Sequence, residues 1–165
     1  MIQVRRATPR DAAEIVRLRG VMLASMDGAE PPPGPWQQAA REVLHERLAE
    51  PADLMAAFVV DAPGRPGELA ACVVGTIERR LGGPANPNGL TGYVFNVVTD
   101  PQHRRRGHSR ACMSALLAWY RQREVSKIDL RASTEGEPLY RSLGFRPTSG
   151  PTMRLALPVG AGLPA

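Results

Sequence analysis

The stretch Tyr93-Val94-Phe95-Asn96-Val97-Val98-Thr99-Asp100-Pro101-Gln102-His103-Arg104-Arg105-Arg106-Gly107-His108-Ser109-Arg110 decides how this chain is read. Its first part, through Thr99, is aromatic and β-branched and reads as a strand. Asp100-Pro101 is a turn. From Arg110 to Arg123, Cys112, Leu116 and Trp119 fall on one face at helical spacing, with Ala115 and Tyr120 beside them. Strand, basic glycine-containing turn and helix together make a holder for phosphate. The first amides of a helix lack partners within it, and the helix dipole adds partial positive charge there. An anion fits at that end, and a glycine lets the backbone come close to it.

The loop is neither GxxxxGK(S/T) nor GxGxxG, which argues against a nucleotide P-loop and a dinucleotide fold. Arg104-x-x-Gly107-x-Ser109 instead resembles the acyl-CoA pyrophosphate loop of the GNAT superfamily of N-acetyltransferases, (R/Q)-x-x-G-x-(G/A). Ser109 departs from the usual Gly or Ala but is also small. Leu139-Tyr140-Arg141-Ser142-Leu143-Gly144-Phe145 resembles the late motif of that superfamily, (L/F)-Y-x-x-x-G-F. Val97-Val98-Thr99-Asp100-Pro101 is similar to its V-x-P lead-in. Three matches in the family's order are more specific than any one of them.

The resemblance implies an α/β GNAT fold: a mixed, mostly antiparallel sheet with a central V-shaped opening and helices on both faces. It implies acetyl-CoA as co-substrate and transfer of acetyl to a primary amine by direct attack. The pyrophosphate would lie on the amides of Arg105 to Arg110, with the side chains of Arg104, Arg105, Arg106 and Arg110 adding charge. Gly107, His108 and Ser109 belong to the same loop. Pantetheine would pair with the backbone of Asn96, Val97, Val98 and Thr99, as a strand adds to a sheet edge. Ser133 would hydrogen-bond the cofactor arm. Tyr140 would be the general acid, since a phenol with a pKa of about 10 is protonated at neutral pH. For the base, Glu78, Asp100, Glu135 and water relayed through Asn96 all stay open. His108, at a helix start, is expected to be neutral or paired with an anion.

Two other readings stay open. One is a non-catalytic CoA-binding or regulatory domain of the same fold. The other is a nucleic-acid-binding module using Arg104 to Arg110, against which stands the lack of interleaved aromatics.

Composition sets the frame. A chain of 165 residues that is 43% hydrophobic suits one domain, expected over residues 1–157, with Pro158 to Ala165 a loosely held tail. A net charge of +5, much of it gathered at the arginine turn, suits a polyanionic ligand. No run approaches the roughly 20 apolar residues of a membrane span, and the N-terminus lacks a signal-peptide core, so no membrane partner is expected and a cytoplasmic location is. Cys72 and Cys112 read as reduced core thiols. No His or Cys spacing suits a metal, so none is expected. The acceptor is expected to be a small-molecule or peptide amine, and a homodimer is left open.

Along the chain, Gln3 to Arg6 reads as an edge strand. Thr8-Pro9-Arg10-Asp11 starts a helix carrying Ala12, Ile15, Leu18 and Met22 on one face. Ser25 to Pro35, rich in proline, is a loop, and Trp36, Ala40, Val43, Leu44 and Leu48 mark a second helix. In the family this region borders the acceptor pocket, which makes Met26, Asp27, Glu30 and Trp36 acceptor-side candidates. Strands are expected at Leu54 to Val60, Leu69 to Leu81, Leu90 to Thr99, Lys127 to Ala132 and Thr152 to Leu157. Thr134 and Glu137 are cap signals for a short helix that Gly144 ends.

Overall fold

In the computed structural model, which describes residues 1–158 and 160, the most apolar strand sits in the middle of the sheet. That strand, β3 (Leu69–Arg79), is buried without interruption from Leu69 to Gly75. A strand apolar on both faces has to be covered on both. β2 (Met55–Asp61) and β4 (Leu90–Thr99) flank it, both antiparallel to it. β1 (Arg5–Arg6) pairs antiparallel with β2, and β5 (Lys127–Leu130) runs parallel to β4. The strand order is β1-β2-β3-β4-β5, a mixed, mostly antiparallel sheet as the motif order implied.

Alternation along the strands sorts two cores. Ala57 and Val59 of β2 and Cys72 and Val74 of β3 pack with Ile15, Leu18 and Leu44, from α1 (Ala12–Asp27) and α2 (Pro35–Arg47). Ala56, Val60, Ala71 and Val73 point the other way. They join Met113, Leu116 and Tyr120 of α3 (His108–Gln122) and Tyr140 of α4 (Glu137–Ser142). None of the helices among the described residues is long and apolar enough to cross a membrane.

Two glycines within the strands exist to make room for one ring. Gly75 and Gly92 lie under Tyr120, whose hydroxyl stands 3.1 Å from the Thr76 carbonyl oxygen and 3.0 Å from that of Tyr93. Thr76 and Tyr93 are register partners, so the phenol shares its proton across the β3–β4 ladder at its middle. Burial pushes the Tyr120 hydroxyl pKa up, outweighing the two carbonyl contacts, and keeps it a donor.

Local signals were mostly realised. The Asp11 carboxylate accepts the Thr8 amide at 2.8 Å where the helical segment begins. Gly28, at φ 79°, ends α1, so Ser25 to Asp27, expected in the loop, belong to this helix. Gly144 is left-handed at φ 99°, with its amide bonded to the Arg141 carbonyl and the Phe145 amide to that of Tyr140, a complete Schellman motif.

Four expectations need correction. The cap before α4 is not Thr134 with Glu137: the Ser133 hydroxyl accepts the Gly136 amide at 3.1 Å, and Glu137 pairs with Arg141 four residues on. Serine placed one residue earlier reaches that amide, and Glu137 already lies inside the helix. α3 starts at His108 rather than Arg110, and β5 stops at Leu130 rather than Ala132. Thr152 to Leu157 is not a strand. Its alternation is real, but none of the described residues pairs with it, and Met153, Leu155 and Leu157 are exposed. Pro147 and Pro151 remove two amides on the approach to it, and β5 offers only a short edge. Of the expected tail, all but Pro158 and Gly160 lies outside the described residues.

A Cβ on Gly92 would stand 2.7 Å from the Tyr120 ring, which is pinned from both sides of the ladder. Gly92→Ala is expected to destabilise the fold by about 1–3 kcal/mol, the usual cost of overpacking, read as a lower urea midpoint at unchanged m-value.

Candidate functional site

β4 changes partner and phase halfway along. Its parallel pairing with β5 runs from Thr91–Lys127 to Val94–Leu130 and stops there. Beyond that point, among the described residues, only β3 pairs with β4, so the edge of Phe95 to Thr99 that faces away from β3 carries no strand there. The pairing with β3 is itself bulged. Val74 opposes Phe95 and Cys72 opposes Val98, which leaves Asn96 and Val97 facing the single residue Val73. Asn96 takes the extra residue's strain at φ 55°, a left-handed conformation that asparagine tolerates better than most side chains. The bulge also resets side-chain alternation. Val94 and Val97 both join the α3-side core, and Phe95 and Val98 both join the α1-side core. The Asn96 side chain is buried, with its amide nitrogen 3.5 Å from the Cys72 sulfur and its oxygen 3.4 Å from Arg19 Nη1.

The arginine turn follows at once. Asp100 accepts the Gln102 amide at 3.0 Å and caps a single 3-10 turn, Pro101–His103. Arg105 (φ 62°) and Gly107 (φ 81°) are both left-handed, which folds the backbone into a concave loop ahead of α3. Among the described residues, the amides of Arg106, Gly107, His108, Ser109 and Arg110 donate to no protein acceptor. The first helical bond is that from Ala111 to the Gly107 carbonyl. Consecutive free amides at a concave turn form an anion cradle. Arg104, Arg105 and Arg106 are exposed around it and bridge to no carboxylate among the described residues.

The cradle is tied to its surroundings at three points. The Thr99 and Ser109 hydroxyls lie 2.7 Å apart, joining the end of β4 to the first turn of α3. This gives the departure from Gly or Ala at Ser109 a structural use. Arg110 donates to the Ser142 hydroxyl at 2.7 Å, tying the loop to α4. Arg17 of α1 donates to Asp100 at 2.8 Å, to the Leu69 carbonyl at 3.0 Å and to Glu14. Burial pushes the Asp100 carboxyl up, but the Arg17 and Gln102 bonds outweigh it and hold the group below its ordinary range.

Tyr140 packs in the same core as Val97, its ring edge-on to Phe145 with 6.1 Å between centroids. Its hydroxyl makes no protein hydrogen bond among the described residues, and burial raises its pKa. The Ser133 hydroxyl and the Tyr140 ring close together on Gly136, 3.2 and 2.9 Å from where a Cβ there would stand. His108 is buried with neither ring nitrogen bonded. Burial, then His103 and Arg106, lower its pKa, so the ring is neutral, as expected for a helix start.

The base candidates do not converge on this region. Glu78 is exposed, bridges Arg80 at 2.8 Å and pairs in register with Thr91, at the far end of β4 from Thr99. Asp100 is committed to Arg17, and Glu135 is exposed. Cys72 and Cys112 are free and buried; burial pushes the Cys112 thiol up to about 12 and the Cys72 thiol higher, so neither is a nucleophile at neutral pH.

A cavity of about 290 Å³ lies between α1, α2 and the bulged part of β4. It is lined by Ile15, Val16, Arg19, Ala40, Val43 and Phe95, among others, and reaches Asn96. None of the loop candidates lines it. Met26, Asp27 and Glu30 are exposed, and Trp36 packs on the α1-side core with its indole nitrogen on the Pro32 carbonyl. The cavity is walled by the helix faces on either side of the loop. Arg19, a charge set between the apolar positions Ile15, Leu18 and Met22, is the one local sign of this cavity in the sequence.

Comparison with known proteins agrees with this geometry. The sequence matches the acetyltransferase (GNAT) family over residues 23–145, so the chain belongs to that family. No curated protein sequence matches it significantly. Among solved structures, it is similar to a predicted acetyltransferase of Clostridium acetobutylicum, determined with acetyl-CoA, at 24% identity and TM-score 0.80, covering 94% of this chain and 96% of that one. A GCN5-related N-acetyltransferase of Ralstonia eutropha aligns at 24% identity and TM-score 0.75, over 94% and 99% of the two chains. Glucosamine-6-phosphate N-acetyltransferase of Arabidopsis thaliana aligns at 17% identity and TM-score 0.73, over 94% and 98%. At these identities the likeness is one of fold.

The Asp100–Arg17 pair carries a pH signature. The folded pKa of Asp100 lies below the ordinary value of 3.8 it has in the unfolded chain, so its contribution is present above that value and is lost as pH falls through the folded one. Asp11 shifts in the same direction. Stability is therefore expected to fall as pH drops below about 4, and Asp100→Asn should flatten part of that slope while costing about 1 kcal/mol at pH 7, measured by denaturant titration across pH.

Proposed function

We propose that this protein is an acetyl-CoA-dependent N-acetyltransferase that moves acetyl to a primary amine by direct attack. One observation carries the reading: the partnerless edge of Phe95 to Thr99 leads straight into a concave loop of free amides ringed by arginines. An elongated ligand with an amide-bearing arm at one end and a diphosphate at the other matches both halves. The backbone of Asn96, Val97, Val98 and Thr99 would take the arm as an added strand. The amides of Arg106 to Arg110 would take the diphosphate, with Arg104, Arg105 and Arg106 supplying charge-assisted bonds.

The chemistry needs a free amine, a polarised thioester and a proton for the leaving sulfur. The bulge at Asn96 and Val97 turns backbone out of the ladder at the point where a thioester carbonyl would lie, and an amide there would bear charge developing on its oxygen. The amine, having lost one proton to water, forms the new C–N bond as the C–S bond breaks, and the surplus proton on its nitrogen leaves to water as the amide forms. Tyr140 would give its proton to the departing thiolate and regain one from solvent. Its unbonded hydroxyl and raised pKa suit it to that task. No side-chain base is assigned, because Glu78, Asp100 and Glu135 are all placed or paired elsewhere. The cytoplasm, which holds acetyl-CoA and keeps thiols such as Cys72 and Cys112 reduced, fits the reading.

The test is calorimetric titration with acetyl-CoA, followed by thiol-release kinetics over an amine panel. Saturable binding is expected, and Gly107→Glu, which puts a side chain and a negative charge at a left-handed position in the cradle, should weaken it at least about tenfold. Tyr140→Phe should lower kcat by about 10²–10⁴-fold with little change in acetyl-CoA affinity. A folded sample that shows no saturation at millimolar acetyl-CoA contradicts the reading. Binding without turnover on any amine would instead support a non-catalytic domain.

A further inference from the structure

We infer that the acceptor is an apolar α-amino acid, held by its carboxylate on Arg19 with its side chain in the cavity between α1 and α2. The inference rests on the acetyltransferase reading and adds the substrate class.

The argument starts from a charge without a partner. Arg5, Arg6 and Arg17, on the neighbouring strand and on the same helix, each bridge at least one carboxylate. Arg19 bridges none among the described residues; its one hydrogen bond is the long 3.4 Å contact with Asn96 Oδ1. Glu30, whose carboxylate lies over the adjacent Gly20, is exposed and does not bridge to it. Arg19 is nevertheless half-buried and lines a cavity whose other walls are Ile15, Val16, Ala40, Val43, Leu44 and Phe95. Placing a cation in apolar surroundings without a counter-ion is costly. A bound anion would remove that cost, and a carboxylate matches the planar fork of a guanidinium.

Geometry sets where the amine would be. Arg19 touches Asn96, the residue at which β4 bulges and beside which a thioester carbonyl would lie. A carboxylate on Arg19 therefore sits next to the reacting nitrogen, not at the far end of a long acceptor. An α-amino acid has that arrangement, with a single carbon between amine and carboxylate. The rest of the molecule then points into the apolar cavity. At about 290 Å³ this cavity is at the small end of the roughly 300–1,000 Å³ typical of ligand pockets, which fits a side chain of leucine or methionine size. The single guanidinium, with no second cation lining the cavity, suits one carboxylate better than a phosphate. The transfer balances as above and yields an N-acetyl amino acid and free CoA thiol.

The test compares L-leucine, L-leucinamide and 3-methylbutylamine as acceptors at saturating acetyl-CoA, with thiol release and acetylated product both measured. The expected result is a kcat/KM for leucine about ten- to a hundredfold above those of the two compounds lacking a carboxylate. Arg19→Gln should reduce the leucine value by a similar factor, mainly through KM, and Arg19→Lys should restore part of it. Calorimetry with acetyl-CoA on each variant separates this question from cofactor binding and reports whether the variant is folded. Equal use of leucinamide or 3-methylbutylamine overturns the inference, as does Arg19→Gln acting equally on all three. If acetyl-CoA binds and none of the three is acetylated, the acceptor class is wrong while the cofactor reading stands. If acetyl-CoA does not bind the wild type, the underlying reading itself fails.

Discussion

The site depends on β4 being left without a parallel neighbour after Val94. A strand in the middle of a sheet normally has both its edges used. Here the ladder to β5 ends while β4 continues to Thr99, so backbone hydrogen-bonding groups remain open inside the fold. Open groups of that kind need a partner of their own, whether water or a ligand. The bulge at Asn96 and Val97 sharpens the effect by kinking β4 and resetting its alternation. Val97 can then face the α3 core that also holds Tyr140, while Phe95 faces the cavity under α1 and α2. One extra residue thus gives a single strand access to both sides of the sheet.

The rest of the molecule holds that strand and its loop still. Tyr120 locks β3 to β4 above the point of parting, at the cost of two strand glycines. Arg17 connects α1, the start of β3 and the cap of the arginine turn. The Thr99–Ser109 contact and the Arg110–Ser142 bond fix the cradle between β4 and α4. Preorganised amides bind an anion without the cost of ordering a loop, which is why so much of the polar network converges on a short turn.

How much of this could be read in the residues depended on whether the signal was local. The strand, arginine turn and helix announced themselves through β-branched residues, Gly107 and helical spacing, all within one stretch. Gly144 could be read because a helix end needs a left-handed residue. The bulge could not, since Asn96 in a run of apolar residues looks like an ordinary strand position until its partner strand is known. The cavity between α1, α2 and β4 is hidden from the sequence for a similar reason. Proline and glycine marked Ser25 to Pro35 as irregular, but the cavity forms where two helices cross the sheet, and that depends on packing distant segments. Thr152 to Leu157 shows the limit of periodicity: alternation says how a strand would face, and only a free edge decides whether it forms.

The most direct test of the central claim is amide hydrogen exchange, followed by mass spectrometry, with and without saturating acetyl-CoA. If the open edge and the cradle act together as one binding surface, Phe95 to Thr99 and Arg106 to Arg110 slow in concert, while β1 and β2 exchange as before. If acetyl-CoA binds and these two segments exchange unchanged, the parted strands are not where the ligand lies, and the account is wrong.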